Sequence, residues 1–275
     1  MKNRIVIIGG GESGIGAAYL ASKKGYEVFL SEYKEIEEKY RKILLDNNID
    51  FEEGGHTLSK LYQASEIIKS PGISENSELF SKIKLKRIPV VSEIEFAFRF
   101  TNSVIISITG SNGKTTTSSL IYHILKNSGL NVGLAGNIGN SFSFLVAEQE
   151  FDYVVLELSS FQLDNIFHFN SFISVITNLS PDHLERYNYD FKNYINSKFK
   201  IISNHTKDNY FVFNSDDNTI SSEIKNRKIN STKISFSTKN NDSSNKSFIT
   251  KQTININVNN NNLMIPIENL SLQSN

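Results

Sequence analysis

The chain has 275 residues, a length at which a single hydrophobic core usually gives way to two domains. Its 29 Lys and Arg residues balance 29 Asp and Glu residues, so no net charge attracts it to nucleic acid or to a membrane surface. The absence of cysteine excludes a disulfide framework, a cysteine-based zinc site and a thiol nucleophile. The apolar run near the N-terminus is too short for a signal peptide or a membrane span, so we expect a cytoplasmic globular protein.

Strand-like and helix-like segments alternate from the N-terminus, which predicts a parallel α/β unit. The predicted segments are a buried strand at 4–9, a helix at 13–24, strands at 27–32 and 66–72, and a closing segment at 88–100. A polar break at 101–103 then separates two apolar segments. We therefore expect a first domain over 1–101 and a second over 102–275.

The second unit begins with the strand-like run VIISITG (104–110), and a helix pattern follows over 115–127. Later strands are predicted at 152–158, 172–178 and 209–214. From about Lys225 the sequence becomes rich in Asn, Ser, Lys and Thr. Apolar and polar residues alternate over 253–267 around four asparagines, which favours an antiparallel hairpin over a disordered segment.

The first glycine-rich loop lies between a predicted strand and a predicted helix. Gly9, Gly11 and Gly14 match G-x-G-x-x-G, and Glu32 ends the next strand where a ribose-binding acid would stand. Glycine lets the backbone approach a diphosphate, and the helix N-terminus supplies free N–H groups. The pattern indicates a bound diphosphate without identifying the nucleotide, so a nicotinamide-dependent oxidoreductase is one function consistent with it.

The second glycine-rich loop is TGSNGKTTT (109–117). Gly113, Lys114 and Thr115 supply the ending of a P-loop, but Ile108 stands where its first glycine should be. Backbone N–H groups of this loop can surround phosphate oxygens, the Lys114 ammonium can neutralise them, and the Thr115 hydroxyl can ligate Mg²⁺. The sequence therefore predicts a phosphate-binding loop shorter than a standard P-loop.

This shorter loop resembles the ATP loop of the Mur ligases and the related folylpolyglutamate synthetases. The further stretches that resemble the D-glutamate-adding Mur ligases are SPGIS (70–74), GNIG (136–139), LELSSFQL (156–163) and TNLSPDHLERY (177–187). Asn112 stands where the alanine-adding members have a histidine. The resemblance implies a Rossmann-like UDP-binding domain over 1–101, followed by a P-loop-type ATP-binding domain with a C-terminal β-hairpin over 102–275.

The resemblance also implies a chemistry. It implies an ATP-dependent ligase that joins D-glutamate to UDP-N-acetylmuramoyl-L-alanine through an acyl phosphate, with two Mg²⁺ sites. The implied protein is a monomer that neither binds nucleic acid nor inserts into a membrane. The implied catalytic residues are Lys114, Glu157, His183 and Lys198. The implied metal ligands are Thr115, Glu157, His183 and Lys198, the last as a carbamate.

The resemblance assigns two further sets of contact residues. Those implied for ATP are Gly110, Ser111, Asn112, Gly113, Lys114, Thr115, Thr116 and Asn214. Those implied for the UDP-sugar are Glu12, Ser13, Ser31, Glu32, Ser70, Pro71, Gly72, Asn137, Ser159, Gln162 and His183. Family members often carry Asp-Thr or Ser-Asp where this chain has Ser31-Glu32, which leaves the uracil contacts open. Spacing alone would make Lys198 an ordinary solvated helix lysine, so its assignment depends on the resemblance.

The resemblance stops at ENLSLQSN (268–275), where the family continues into a third domain that binds D-glutamate. We expect that C-terminal ligase domain to be absent from this chain. Such a chain should bind UDP-N-acetylmuramoyl-L-alanine and ATP but ligate D-glutamate poorly, because the attacking amine is no longer positioned. A sister Mur or folylpolyglutamate-type ligase and a non-catalytic UDP-sugar-binding module remain alternatives.

Overall fold

The computed structural model describes residues 4–74, 77–238, 247–250, 252–258 and 261–269. Its first sheet consists of parallel strands β1 (Arg4–Ile8), β2 (Glu27–Ser31), β3 (Asp50–Glu52), β4 (Glu66–Lys69) and β5 (Val90–Ser92). The accompanying helices are α1 (Glu12–Lys23), α2 (Glu38–Asp46), α3 (Leu58–Leu61), α4 (Glu78–Leu85) and α5 (Glu93–Phe98). The strand order β3-β2-β1-β4-β5 reverses direction at β1, and ligands bind at such a reversal in doubly wound sheets.

The strands of the second sheet come from the remaining described residues. Its strands are β6 (Val104–Thr109), β7 (Val132–Gly136), β8 (Tyr153–Glu157), β9 (Ile173–Ile176), β10 (Tyr210–Asn214), β11 (Thr232–Ser237), β12 (Ser247–Ile249), β13 (Thr253–Val258) and β14 (Asn261–Pro266). Their order is β14-β13-β12-β11-β10-β9-β6-β8-β7. The strands from β7 to β12 pair in parallel, whereas β13 pairs antiparallel with both β12 and β14.

Helices cover this second sheet. They are α6 (Lys114–Asn127), α7 (Phe142–Glu148), α8 (Ser160–Leu163), α9 (Phe191–Phe199) and α10 (Asn218–Asn226), with 3₁₀ helices at Leu184–Tyr187, Lys200–Ile202 and Ile267–Asn269. Within the described ranges, no helix combines the length and apolarity needed to cross a bilayer.

The fold class predicted from the sequence is confirmed. Both glycine-rich loops connect a strand to a helix, and the hairpin of β13 and β14 is present with Ile256 opposite Leu263. The segment at 88–100 differs, because it divides into β5 and α5 where the Ser92 hydroxyl accepts a hydrogen bond from the Glu95 N–H (3.2 Å). Strand β7 was not predicted, since its sequence VGLAG contains two glycines and lacks a strand-like run.

One hydrophobic cluster includes residues of both sheets, and each sheet also packs a separate cluster of its own. Buried side chains of α1 and α5 belong to the same cluster as Phe142 of α7 and the interior of the second sheet. Helix α1 approaches α7 closely at Gly16, where an added Cβ would lie 2.1 Å from Ser141 Oγ. The Glu12 carboxylate also accepts a hydrogen bond from the Ser141 N–H (2.9 Å). The first glycine loop is therefore tied directly to the second unit.

Two carboxylates of α5 lie buried at the same junction. Glu95 accepts hydrogen bonds from the backbone N–H groups of Phe167, His168 and Phe169, at 2.9 to 3.0 Å. Glu93 accepts one from the Ser143 N–H, but its second oxygen has no partner among the described residues. Burial, aided by the nearby Glu12 charge, raises the pKa of Glu93 to about 7.

Glu93 should make the stability of the chain depend on pH. Its pKa is higher when folded than when unfolded, so its stabilising contribution is complete below about pH 4.5 and is lost as pH rises through about 7. The shift corresponds to on the order of 3 kcal/mol. We expect Glu93→Gln to remove this part of the stability loss between pH 5 and pH 8 in urea unfolding. Exposed Glu38→Gln is the control, and an unchanged pH profile in Glu93→Gln would contradict the assignment.

Candidate functional site

The second glycine loop forms a tight turn between β6 and α6. Gly110 has φ +151° and Gly113 has φ +78°, conformations that side-chain-bearing residues seldom adopt. An added Cβ on Gly110 would lie 1.9 Å from Thr177 Oγ1, at the end of β9. Only glycine fits between these neighbouring strand ends, so the loop lies directly on the carboxyl edge of the sheet.

The start of α6 presents unpaired donors at this edge. The first backbone bond into the helix runs from the Thr117 N–H to the Gly113 oxygen (3.0 Å). Among the described residues, the N–H groups of Gly113, Lys114, Thr115 and Thr116 have no hydrogen-bond partner, as expected at a helix N-terminus. The Lys114 ammonium folds back onto the oxygens of Gly110 and Ser111, both at 3.0 Å. Together these groups create a region of positive potential with free N–H donors, which suits an anion.

Residues after β9 hold the loop in this shape. The Asn178 side chain accepts a hydrogen bond from the Asn112 N–H and donates one to its oxygen, both at 2.9 Å. The buried Ser111 hydroxyl donates to the Ser180 oxygen (2.8 Å) and lies 3.1 Å from the Tyr194 hydroxyl. Sequence reasoning did not single out Asn178 or Tyr194, although Asn178 lies within the TNLSPDHLERY stretch. Two of the predicted ATP contacts, Ser111 and Asn112, therefore bond within the protein.

Glu157 ends β8 beside this loop and is fully buried. One carboxylate oxygen accepts a hydrogen bond from the Asn137 amide (2.8 Å), and the other lies 3.5 Å from the Ser118 hydroxyl of α6. No Lys, Arg or His among the described residues forms an ion pair with it. A buried carboxylate without a cation is costly, so this position suits a bound cation.

Lys198, on α9, is buried rather than solvated, with 2% of its surface exposed. Its ammonium donates to the Gly110 oxygen (2.8 Å) and lies 4.8 Å from the centre of the Tyr194 ring. Burial, together with the positive charge of Lys114, lowers its pKa from 10.5 to about 7. A substantial fraction of this amine is therefore neutral at neutral pH, and it lies against the second glycine loop.

His183 occupies the loop that follows β9. Its backbone is left-handed, with φ +50°, and more than half of its side chain is exposed. Its ring nitrogens lie 3.6 Å from a carboxylate oxygen of Asp182 and 3.8 Å from one of Glu185, and its ring lies 5.2 Å from that of Phe161. Across the residues described, no three His, Asp or Glu side chains converge as metal ligands. A metal site built on Glu157 and His183 would need further oxygen donors.

The first glycine loop is equally constrained. Gly9 has φ +110°, and an added Cβ on Gly14 would lie 1.8 Å from the Gly9 oxygen. The Ser70 hydroxyl, from the turn after β4, donates to that same oxygen (3.4 Å). The predicted contacts Glu12 and Ser13 begin α1, whose free N–H groups point at the carboxyl edge of the first sheet.

The acid at the end of β2 supports this loop. The Glu32 carboxylate accepts hydrogen bonds from the Gly10 N–H (2.5 Å) and the Lys34 N–H (2.8 Å). The buried Ser31 hydroxyl lies 2.7 Å from His56 Nδ1 and donates to Glu52 (2.8 Å). The Glu32 side chain therefore stabilises the loop, and the Ser31 side chain stabilises the neighbouring residues Glu52 and His56.

Three more predicted residues make local hydrogen bonds. Ser159 and Gln162 form a capping box on α8: the Ser159 N–H donates to the Gln162 amide oxygen (2.9 Å), and the Gln162 N–H donates to the Ser159 hydroxyl (3.3 Å). The Asn214 side chain, at the end of β10, accepts a hydrogen bond from the Asp216 N–H (2.9 Å). Pro71 and Gly72 offer backbone oxygens, and both accept hydrogen bonds from Arg186.

Comparison with known proteins places these features in a family. The model of the Mur ligase middle domain matches residues 108–273, and that of the MurD N-terminal domain matches residues 4–79. The chain belongs to the Mur ligase family. A crystal structure of the UDP-N-acetylmuramate:L-alanyl-gamma-D-glutamyl-meso-diaminopimelate ligase from Neisseria meningitides aligns with a TM-score of 0.63 at 16% identity, over 95% of this chain and 86% of that one. At that identity the likeness establishes the fold alone.

Two relatives named UDP-N-acetylmuramoylalanine--D-glutamate ligase are more similar in sequence. The one from Christiangramia forsetii is 46% identical over 273 residues, which are 99% of this chain and 61% of the relative. The one from Bacteroides thetaiotaomicron is 53% identical over 221 residues, which are 80% of this chain and 50% of the relative. This Mur ligase chain thus spans between half and two thirds of the length of these relatives.

Substitution of Gly110 tests the close approach of the loop to β9. Gly110→Ala would place a methyl group 1.9 Å from Thr177 Oγ1 and strain a φ of +151°, so we expect a loss of about 2–4 kcal/mol in free energy of unfolding. Gly129→Ala is the matched control, since Gly129 has φ +81° but nothing within 4 Å, and should lose only about 1 kcal/mol. Equal losses in urea unfolding would contradict the contact.

Proposed function

We propose that this chain is the part of an ATP-dependent ligase that binds UDP-N-acetylmuramoyl-L-alanine and ATP for the addition of D-glutamate, a step of peptidoglycan precursor synthesis. The arrangement that carries the proposal is the glycine loop between β6 and α6, with the buried amine of Lys198 and the carboxylate of Glu157, which has no ion-pair partner among the described residues, beside it. The names of the two sequence relatives supply the substrates.

In this proposal residues 1–101 bind the UDP moiety. The N–H groups at the start of α1, including those of Glu12 and Ser13, would receive the diphosphate. The uridine would lie at the carboxyl edge of the first sheet, near the Ser31-Glu32 pair and the turn of Ser70, Pro71 and Gly72. The muramoyl-alanine end would extend toward the second sheet, past Asn137, Ser159, Gln162 and His183.

Residues 102–275 would bind ATP and Mg²⁺. The residues proposed for ATP are those of the loop from Gly110 to Thr116, with Asn214 near the adenine. The exposed Thr115 hydroxyl, Glu157 and His183 provide oxygen and nitrogen donors suited to Mg²⁺. The lack of an ion-pair partner for buried Glu157 supports this fit. Bound Mg²⁺ would neutralise charge on the phosphate oxygens during transfer.

The proposed reaction has two steps. The substrate carboxylate attacks the γ-phosphorus of ATP, which forms an acyl phosphate and releases ADP. The amine of D-glutamate then attacks the acyl carbon, so an amide forms and phosphate leaves. The protein's task is positioning and charge neutralisation: Lys114 and the N–H groups of α6 would hold the phosphates in line with the carboxylate.

Lys198 would act as a carbamate. Its neutral amine can add CO₂ and release a proton, which converts a cation into a carboxylate-like ligand on a long side chain. The low pKa of this amine and its position beside Gly110 and Thr109 support the assignment, because only the neutral amine reacts with CO₂.

Calorimetric titration of the chain tests the proposed function. We expect UDP-N-acetylmuramoyl-L-alanine to bind more tightly than UDP-N-acetylmuramate, because the alanyl group contributes further contacts, and we expect no heat with NADH. Binding of NADH without a response to either UDP-sugar would establish the oxidoreductase alternative instead.

Labelling with ¹³C-bicarbonate tests the carbamate. We expect a protein-bound carbamate signal in the ¹³C NMR spectrum of the chain, since Lys198 is a buried amine with a lowered pKa. The signal should disappear in Lys198→Arg and remain in Lys207→Arg, whose side chain is exposed. A signal of equal intensity in all three proteins would rule out Lys198 as its source.

A further inference from the structure

Arg186 connects the two sheets through hydrogen bonds to the backbone. It lies in the 3₁₀ helix Leu184–Tyr187, next to the second sheet, and its guanidinium reaches the turn that follows β4 of the first sheet. One terminal nitrogen donates to the Gly72 oxygen at 3.0 Å. The other donates to the Pro71 oxygen at 3.1 Å and the Ile73 oxygen at 3.2 Å. One side chain thus holds three successive carbonyl groups of this turn.

The guanidinium is held in place by an aromatic ring. It lies 4.3 Å from the centre of the Phe161 ring of α8, a typical stacking contact. In the described part of the chain, no carboxylate forms an ion pair with Arg186. Its charge is therefore directed at carbonyl dipoles, and only a planar group with several fixed donors can satisfy three of them together.

The same arginine is bound to the His183 loop. The backbone N–H of Arg186 donates to the His183 oxygen (3.0 Å), and the His183 ring lies 5.2 Å from the Phe161 ring on which the guanidinium stacks. A left-handed backbone is unfavourable for histidine, so the conformation of His183 depends on the bonds that surround it. A shift of Arg186 would therefore shift His183.

At its other end, the contact reaches the first glycine loop. The Ser70 N–H donates to the Ile8 oxygen (3.0 Å), its hydroxyl donates to Gly9, and the Ile73 N–H donates to the Ser70 oxygen (3.1 Å). The turn held by Arg186 therefore lies directly on the loop that would receive the diphosphate.

A polar cavity underlies this contact. It has a volume of about 390 Å³, and its lining includes Lys69, Asp164, Asn193 and Lys200 as well as Arg186. The hydrogen bonds of Arg186 join the turn to the His183 loop directly, whereas the bond that Lys69 donates to the Ile73 oxygen (3.2 Å) lies within the first unit.

We propose that Arg186 is a positioning residue that couples the nucleotide-sugar site on the first sheet to the His183 loop on the second. Binding of the UDP-sugar fixes the turn of residues 70–73. Because Arg186 bonds to this turn, it then fixes the position of His183, where the metal and the reacting carboxylate would meet. This inference rests on the proposed function and adds a residue to which that function assigns no role.

Binding and hydrogen exchange together test the coupling in the 275-residue chain. We expect Arg186→Ala to weaken binding of UDP-N-acetylmuramoyl-L-alanine at least tenfold by calorimetry, and Arg186→Lys to weaken it less, because lysine cannot hold all three carbonyl groups. Ethylguanidinium at millimolar concentration should restore part of the affinity of Arg186→Ala and leave that of the parent chain unchanged. A merely structural loss would not be restored in this way.

UDP alone provides the second measurement. We expect UDP to slow amide exchange in residues 183–187 of the parent chain but not of Arg186→Ala, although UDP lacks the sugar that would approach His183. Arg227→Ala is the matched control, since Arg227 also stacks on a phenylalanine (4.5 Å from the Phe199 ring) but forms an ion pair with Glu223 (2.7 Å). It should bind and exchange like the parent chain.

The outcomes separate the two proposals. If the parent chain binds the UDP-sugar and Arg186→Ala binds it equally well, with UDP protecting 183–187 in both, the coupling is wrong and the proposed function stands. If the parent chain binds NADH but no UDP-sugar, the proposed function fails, and the coupling fails with it.

Discussion

The packing of α1 against α7 is the constraint on which the rest of the structure depends. Gly16 allows the two helices to touch, and the Glu12 carboxylate binds the N–H of Ser141 at the start of α7. Each helix follows a loop at the carboxyl edge of its own sheet. A shared apolar cluster fixes these two helices against each other. The proposed joining of two substrates would need their binding sites to be held in fixed relative positions.

The second site contains a buried carboxylate and a buried amine that do not pair with each other. Glu157 is held by the Asn137 amide and the Ser118 hydroxyl, while Lys198 bonds to a backbone oxygen near a second lysine, Lys114. Direct pairing of Glu157 with Lys198 would be the cheaper arrangement for stability alone. Keeping them apart leaves an anion ready for a cation and an amine ready to lose its proton, which favours a chemical role over a structural one.

The sequence predicted the fold class and the glycine loops because these features depend on local patterns. Strand β6, Gly113 and Lys114 are neighbours in the chain, so their geometry follows from the strand–turn–helix pattern. The burial of Lys198 and the contacts of Arg186 could not be predicted, since they depend on residues brought together from distant parts of the chain. Spacing alone would have made Lys198 a surface residue. Lys198 is only 2% exposed because α9 packs against the second glycine loop.

The first glycine loop alone would have permitted a nicotinamide-dependent enzyme. In that class the acid after the second strand must receive hydrogen bonds from a ribose. Here both oxygens of Glu32 already accept backbone N–H groups, from Gly10 and from Lys34, and the carboxylate supports the loop itself. Each carboxylate oxygen can accept a second hydrogen bond, however, so Glu32 could still bind a ribose hydroxyl of either a nicotinamide nucleotide or UDP. The first loop therefore does not by itself distinguish these nucleotides, and the proposal of UDP depends on the second glycine loop, Glu157 and Lys198, for which an oxidoreductase offers no role.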